Sequence, residues 1–215
     1  MNPERILEIV AAARERYSER LRQHGPGVLA LGWDTQAHQE IRFAAAASLI
    51  EGKSLLDVGC GLGDLLAYLC ERGRRPDSYH GIDILPEFVA EARRRHKDKE
   101  GVCFSEGDIF DTDLSTYADT VIALGLLNYR LKSEEENYAY VVRFLEAAFG
   151  LAQRCVIFDG ISRYHTTEYP EESFIFYANP GRIIEIAVPL SPDFVLLHDL
   201  PPIPQREYIF CIRKR

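Results

Sequence analysis

Asp57, Gly59, Gly61 and Gly63 stand at every second position within SLLDVGCGLGDLLAYL, residues 54 to 69. Glycine reaches positive φ without steric penalty and lets a ligand lie against bare backbone. The apolar run before the loop, residues 55 to 58, reads as a buried strand, and the one after it as a helix ending at Gly73. The first turn of such a helix offers N–H groups that have no partner inside the helix. The loop is therefore built to press against something small and polar. A dinucleotide loop follows G-x-G-x-x-G; counted from Gly59, its third glycine falls where Asp64 stands. A carboxylate there repels a pyrophosphate. A nucleoside without phosphates, carrying a cationic group, fits better, and a nicotinamide-dependent oxidoreductase is disfavoured.

Two more carboxylates, Asp83 and Asp108, fall at or just after the ends of later strands. YHGID (79 to 83) reads as a strand, PEFVAEARRRH (86 to 96) as a helix with Pro86 in its first turn, and VCFSE (102 to 106) as a strand. DTVIALG (119 to 125) and RCVIFDG (154 to 160) are further strands, with helices expected over 134 to 150 and 179 to 187. The end differs: DFVLLHDL and REYIFCIRKR flank PPIPQ with no room for a helix, so they read as an antiparallel hairpin. Upstream, residues 3 to 22 form a helix broken by HGPG, and a second helix follows Asp34 or Thr35 as cap and runs to about Ile50. The expected fold is α/β: a doubly wound, mostly parallel seven-stranded sheet ending in an antiparallel hairpin, with an N-terminal helical cap. Residues 1–50 form the cap segment and 51–215 a single compact unit. In such a sheet, ligands bind where the strands end at their carboxyl edge, which puts the glycine loop over the ligand.

D-x-G-x-G-x-G (Asp57 to Gly63) resembles the first motif of class I S-adenosylmethionine-dependent methyltransferases. The resemblance covers about residues 50 to 215, and further motifs occur in order. Asp83, with Ile84 beside it, matches the acid that in the family binds both ribose hydroxyls; an acceptor-only carboxylate suits a vicinal diol. Asp108 and Ile109 match the pair that holds the adenine amino group and packs its ring. ALGLLNY (123 to 129), with Leu124 and Gly125, matches the strand end whose backbone lines the methionine part. The resemblance implies S-adenosylmethionine as cofactor, S-adenosylhomocysteine as product, and methyl transfer by in-line displacement. The cap pattern GW…Q…RF, with HD near the end, is similar to that of small bacterial methyltransferases of unnamed acceptor.

The acceptor is read mainly by exclusion. Enzymes that methylate exocyclic base amines or glutamine carry an Asn/Asp-Pro-Pro-aromatic motif after the fourth strand; here that place reads Leu127-Asn128-Tyr129-Arg130. The net charge of −8 also argues against a phosphate backbone as partner. A small molecule is expected, with a protein acceptor left open. Gln39, Arg42 and Phe43 share one helix face. In family members with helical caps such a face covers the methionine end, so Gln39 and Arg42 are cofactor contacts by resemblance, Arg42 pairing with the carboxylate; the alternative is a surface arginine bonded to a nearby acid. Trp33 is read as a packing residue. His165, after the fifth strand, is the candidate general base, and Tyr129, Tyr164 and Tyr177 are candidate acceptor-pocket residues, Tyr129 also as a catalytic group. His198-Asp199 reads as a satisfied pair at the sheet edge. No His, Cys, Asp or Glu group has metal-ligand spacing. Two rivals stay open: aminopropyl transfer on the same fold, and a non-catalytic cofactor-binding scaffold, with a homodimer compatible with either reading.

The bulk numbers agree with an ordinary globular enzyme. The 215 residues suit one domain with a sizeable core, and 47% hydrophobic and 27% charged residues are typical. No apolar run approaches the roughly 20 residues needed to span a bilayer, and MNPERILEIV lacks a signal-peptide core. Five cysteines, Cys60, Cys70, Cys103, Cys155 and Cys211, lack paired spacing and read as reduced thiols. A cytoplasmic protein that binds neither membrane nor nucleic acid is expected. The basic run Arg93 to Lys97 reads as a solvated helix end.

Overall fold

The computed structural model describes residues 1–111, 116–164, 171–200 and 207–214. The strands are β1 (Ser54–Val58), β2 (Ser78–Asp83), β3 (Val102–Glu106), β4 (Ala118–Ala123), β5 (Ala152–Ser162), β6 (Tyr177–Ala178), β7 (Phe194–Leu197) and β8 (Glu207–Arg213). They form one sheet in the order β3-β2-β1-β4-β5-β8-β7, with β6 paired to β5. The first five run parallel; β8 is antiparallel to both β5 and β7. Strand order reverses beside β1, so the ends of β1 and β4 open the crevice in which such sheets bind ligands. The sequence pattern anticipates this α/β architecture with its closing antiparallel pair. It does not anticipate β6, two residues long, or the full length of β5, whose polar ends carry no strand signal.

Alternation along the strands feeds a core on each face of the sheet. Leu56, Val121 and Phe158 pack with Phe144 and Phe210 on one side, while Leu55, Ile122 and Ile157 pack with Leu66 and Tyr79 on the other. The helices are α1 (Pro3–His24), α2 (Gln36–Ala47), α3 (Asp64–Glu71), α4 (Pro86–Arg95), α5 (Glu134–Leu151) and α6 (Pro180–Ala187). Asn2 caps α1 by accepting from the Arg5 N–H at 2.9 Å, and Thr35 caps α2 by accepting from that of His38 at 3.2 Å. α2 stops at Ala47, short of the expected Ile50.

Both N-terminal helices lie over the carboxyl edge of the sheet. A third small core, Ala30, Leu62, Leu85 and Phe88 with Tyr17, Leu21 and Leu31 around it, ties α1 and the segment after it to the glycine loop and to α4, while α2 packs into the second core through Phe43, Ala46 and Ala47. No helix among the described residues is long and apolar enough to cross a membrane. Cys60, Cys155 and Cys211 are buried, Cys70 is half-buried and Cys103 is exposed; all five are free thiols.

Candidate functional site

A cavity of about 840 Å³ lies between the strand ends and the N-terminal helices. Its floor includes the loop after β1. Gly59, Gly61 and Gly63 have φ of 73°, 53° and 77°, the left-handed region that a side chain rarely adopts. The N–H groups of Gly59 and Cys60 both donate to the Ile82 carbonyl, at 2.8 and 3.0 Å, so the loop hangs on the end of β2. At Gly61 a Cβ would fall 2.6 Å from Leu31 Cδ2, which is how closely the cap covers the loop.

Three carboxylates expected at strand ends meet on this wall. Asp83 is buried; its Oδ2 accepts from the Gly61 N–H and its Oδ1 from the Leu85 N–H, both at 2.9 Å. It thus joins the glycine loop to the start of α4 and keeps acceptor capacity for a ligand. Asp57 is buried against the Tyr79 hydroxyl, which donates to its Oδ2. Burial pushes the Asp57 carboxyl up to about 7, against the pull of the Tyr79 hydrogen bond. Asp108 Oδ1 accepts from the Phe110 N–H at 3.2 Å, and burial raises that carboxyl to about 6. Ile84 and Ile109 line the cavity beside these acids.

Toward β4 and β5 the wall changes. Leu124 and Gly125 line the cavity. The Gly125 N–H donates to Asp159 Oδ1 at 2.6 Å, and a Cβ on Gly125 would fall 3.0 Å from the Trp33 indole, so Trp33 packs as expected. Gln39, Arg42 and Phe43 do share one face of α2, and all three are buried. Gln39 Nε2 donates to Asp64 Oδ2 at 3.3 Å, and Arg95 pairs with the other oxygen at 3.0 Å. The Arg42 guanidinium is not a surface group. It pairs with Glu207, donates to the His38 carbonyl at 2.8 Å, lies 3.7 Å from Asp159 and stacks 4.2 Å from the Trp33 ring. Burial pulls Arg42 down to about 10 and pushes Asp159 up to about 6.

Tyr129 lines the cavity with the Arg16 guanidinium 3.0 Å over its ring. Tyr164 and Tyr177 are not brought there. Tyr164 is 62% exposed, with its hydroxyl 3.4 Å from Asn179 Oδ1, and Tyr177 is buried in β6, its hydroxyl accepting from the Glu172 N–H. His165 lies outside the described residues. His198 Nε2 bonds to Ser162 Oγ at 2.7 Å, a contact to β5. The basic run is also only partly solvated: His96 is buried, its Nε2 meeting the Gly63 carbonyl at 3.0 Å, and Arg93 bonds to the Phe104 carbonyl.

Sequence reasoning passes over Asp159 and Glu207. Asp159 had a signal: VIFD ends a strand in an acid, as LLDV and YHGID nearly or wholly do. Glu207 opens a strand in a charged run and had none. The wall beside Asp57, Asp83 and Asp108 fits a nucleoside bearing positive charge. It offers bare glycine backbone, carboxylates wholly or partly buried and short of partners for their charge, and N-terminal helices lining the other side of the cavity.

The family model for the methyltransferase domain matches residues 56–152. The Mycobacterium tuberculosis protein named "Putative methyltransferase Rv1506c" is 31% identical over 148 residues, 68% of this chain and 86% of that protein. Magnesium protoporphyrin IX methyltransferase from Synechocystis PCC 6803, solved with bound SAH, has a TM-score of 0.63 at 19% identity, covering 95% of this chain and 99% of that one. A DhpI-SAM-HEP complex has a TM-score of 0.64 at 19% identity, covering 98% and 99%. The acid-and-glycine crevice at the reversal of strand order thus occurs in a chain whose sequence relatives and fold neighbours are methyltransferases, and the chain belongs to the class I S-adenosylmethionine-dependent methyltransferases.

Proposed function

We propose that the chain methylates a small-molecule acceptor held in the part of the cavity beyond the cofactor, beneath the cap. The observation that carries this reading is the size and enclosure of the chamber. About 840 Å³ lies within the range of small-ligand sites, roughly 300–1,000 Å³, and α1 and α2 roof it. Only an extruded base of a duplex or an inserted side chain of a folded protein reaches a space roofed on that side, and a net charge of −8 does not attract a phosphate backbone.

In this reading residues 1–50 act as the cap on the unit formed by 51–215. Asp57, Gly59, Gly61 and Gly63 lie along the methionine side. Asp83 accepts from the ribose hydroxyls, with Ile84 beside it. Asp108 accepts from the adenine amino group and Ile109 packs its ring, while Leu124 and Gly125 present backbone toward the reacting end. Gln39 and Arg42 contribute from the cap; any contact of Arg42 with the cofactor's carboxylate shares the guanidinium with Glu207. When bound, S-adenosylmethionine supplies a methyl group on a sulfonium, displaced in line by an acceptor lone pair. The protein's part is to hold that lone pair in line and exclude water, which supplies up to roughly 7–11 kcal/mol in ideal cases. His165 is the proposed general base for an acceptor atom that must lose a proton, and Tyr129 a proposed catalytic group on the chamber wall.

Titration calorimetry with S-adenosylmethionine and S-adenosylhomocysteine tests the cofactor side, with Asp83→Ala and NAD as controls. Micromolar binding of both, lost in the variant and absent for NAD, is expected. Labelled methyl transfer then compares a small-molecule library with bulk RNA and with protein extract. Label entering only the macromolecular fractions overturns the small-acceptor reading.

A further inference from the structure

Glu207 sits at the start of β8, opposite Ile161 of β5, and lines the cavity on the side away from Asp57, Asp83 and Asp108. It is 7% exposed. Its Oε1 accepts from Arg42 Nη2, while its Oε2 is buried and meets no hydrogen-bond donor among the described residues. Behind it lies Asp159, also buried, its Oδ1 taken by the Gly125 N–H and its Oδ2 3.7 Å from Arg42 Nε. Two carboxylates therefore share one arginine. A buried carboxylate oxygen without a donor is costly, and a buried pair with an unmatched charge costs more than a matched one. Arg42 Nε also meets no hydrogen-bond partner among the described residues, but it faces Asp159 at 3.7 Å, so what Glu207 Oε2 lacks among the described residues is a donor that brings positive charge.

The surroundings say what else that group is attached to. Ile161, Phe174, Ile175 and Tyr129 line the same end of the cavity, and Trp33 stacks on Arg42 beside it. Phe174 is 49% and Tyr129 38% exposed, Tyr129 with one face of its ring under the Arg16 guanidinium, so this end of the cavity is walled by apolar and aromatic side chains with Arg16 at its edge.

We propose that Glu207, held by Arg42 and backed by Asp159, is an acceptor subsite that binds an ammonium group, so that the methyl acceptor is an amine with an apolar or aromatic body. This rests on the reading of the cavity as a methyltransferase's acceptor chamber. It concerns the anchoring group, whichever atom of the acceptor receives the methyl. Guanidinium and hydroxyl ligands satisfy the oxygen less well: the first competes with Arg42 for the same space, and the second leaves the charge unmatched.

The protein's one tryptophan, Trp33, reports on this end of the cavity. With the protein saturated with S-adenosylhomocysteine at neutral pH, Trp33 fluorescence is titrated with 2-phenylethylamine, 2-phenylethanol and 3-phenylpropionate. The amine is expected to bind at least tenfold more tightly than the alcohol, with the carboxylate weakest. Glu207→Gln is expected to erase the amine's advantage without weakening S-adenosylhomocysteine, because the Arg42 guanidinium it releases stays available to the cofactor's carboxylate. Equal binding of amine and alcohol by the wild-type protein overturns the proposal without needing the variant. A Glu207→Gln protein that loses S-adenosylhomocysteine as strongly as amine also overturns it, because the orphan oxygen then serves the cofactor. Failure of the wild-type protein to bind S-adenosylhomocysteine at all strikes the underlying methyltransferase-chamber reading instead, and the two failures are separable.

Discussion

The two ends of the cavity hold their carboxylates in opposite ways. Beside β1 to β3, Asp83 and Asp108 are anchored by backbone N–H groups of their own or neighbouring loops, and Asp57 by one tyrosine from the next strand. Beside β5 and β8, Glu207 is held by a guanidinium that α2 brings from another part of the chain, and Asp159 is divided between that guanidinium, 3.7 Å away, and the Gly125 N–H. Backbone anchoring is local and leaves the carboxylate's remaining lone pairs for a neutral polyol or amine. Anchoring by a buried arginine is long-range and couples the site's charge balance to the cap. The first arrangement suits a cofactor that every turnover shares; the second suits a group that sets specificity.

The largest effect should come from cutting the long-range anchor. Arg42→Met leaves Asp159 and Glu207 buried without a counter-charge, and removing one partner of a buried pair costs about 3–5 kcal/mol. Urea unfolding of the ligand-free protein should show that loss, and the double variant Arg42→Met/Glu207→Met should recover more than half of it. A loss under about 1 kcal/mol in the single variant would mean that the acids are solvated, and the contrast between the two ends would collapse.

Next in size is the local anchor. Asp83→Ala strips two backbone N–H groups of their acceptor and removes the proposed ribose contact. Hydrogen bonds to a charged group contribute about 1.5–3 kcal/mol each, so cofactor affinity should fall about 100-fold by calorimetry. The glycine loop loses one of its ties to β2, keeping those of Gly59 and Cys60 to the Ile82 carbonyl, so stability should fall as well, by about 1–3 kcal/mol. The comparison sharpens if Arg42→Met costs far less cofactor affinity than Asp83→Ala although it costs more stability.

How far the sequence discloses each end follows from the same contrast. Asp57, Asp83 and Asp108 are legible because the features that position them are local: an apolar strand run, a loop, and the glycines or proline that open the next helix. Arg42 was legible as a member of a buried helix face through its spacing with Gln39 and Phe43, but its partner was not. Glu207 lies 165 residues away and looks, in REYIF, like a charge at a strand's wet end. His96 misleads for the same reason. In a run of five basic residues it reads as solvated, yet α4 turns it inward onto Phe104 and the Gly63 carbonyl. Tyr177 was sought in the cavity, but its strand is too short to announce itself. Local pattern names elements and strand-end acids; it does not name who pairs with whom across the chain.

A smaller effect is the pH response of the buried carboxyls, which runs in opposite directions for stability and for cofactor affinity. Burial holds Asp57 at about 7 and Asp108 and Asp159 at about 6, against about 4 in an unfolded chain. The folded state therefore binds more protons between about pH 4 and 7, and the stability these groups contribute is present below pH 4 and lost as pH rises through 7. Cofactor affinity should run the other way, because a cation binds the ionised carboxylates. With Asp57 at about 7, its ionised fraction rises about tenfold from pH 6 to pH 8, and affinity for S-adenosylmethionine should rise by about that factor and then level off. The uncharged sulfur of S-adenosylhomocysteine should show a shallower rise. Equal slopes for the two ligands would place the sulfonium away from Asp57.

The finest test asks whether that pH response belongs to Asp57 itself. Tyr79 is buried under the sheet and donates to Asp57 Oδ2, a bond that favours the ionised carboxylate and so opposes the effect of burial. Tyr79→Phe removes the hydroxyl and little else, leaving a ring that still packs on Phe104. Without its donor, Asp57 should hold its proton to higher pH. At about 1.5 kcal/mol for a bond to a charged group, the midpoint of the affinity curve should move up by about one pH unit. Affinity above that midpoint should be nearly unchanged, since the ionised carboxylate still faces the ligand. A curve that drops evenly at every pH would instead assign Tyr79 to the shape of the loop, and a midpoint that stays in place while Asp108→Asn moves it would transfer the pH response to the adenine side of the cavity.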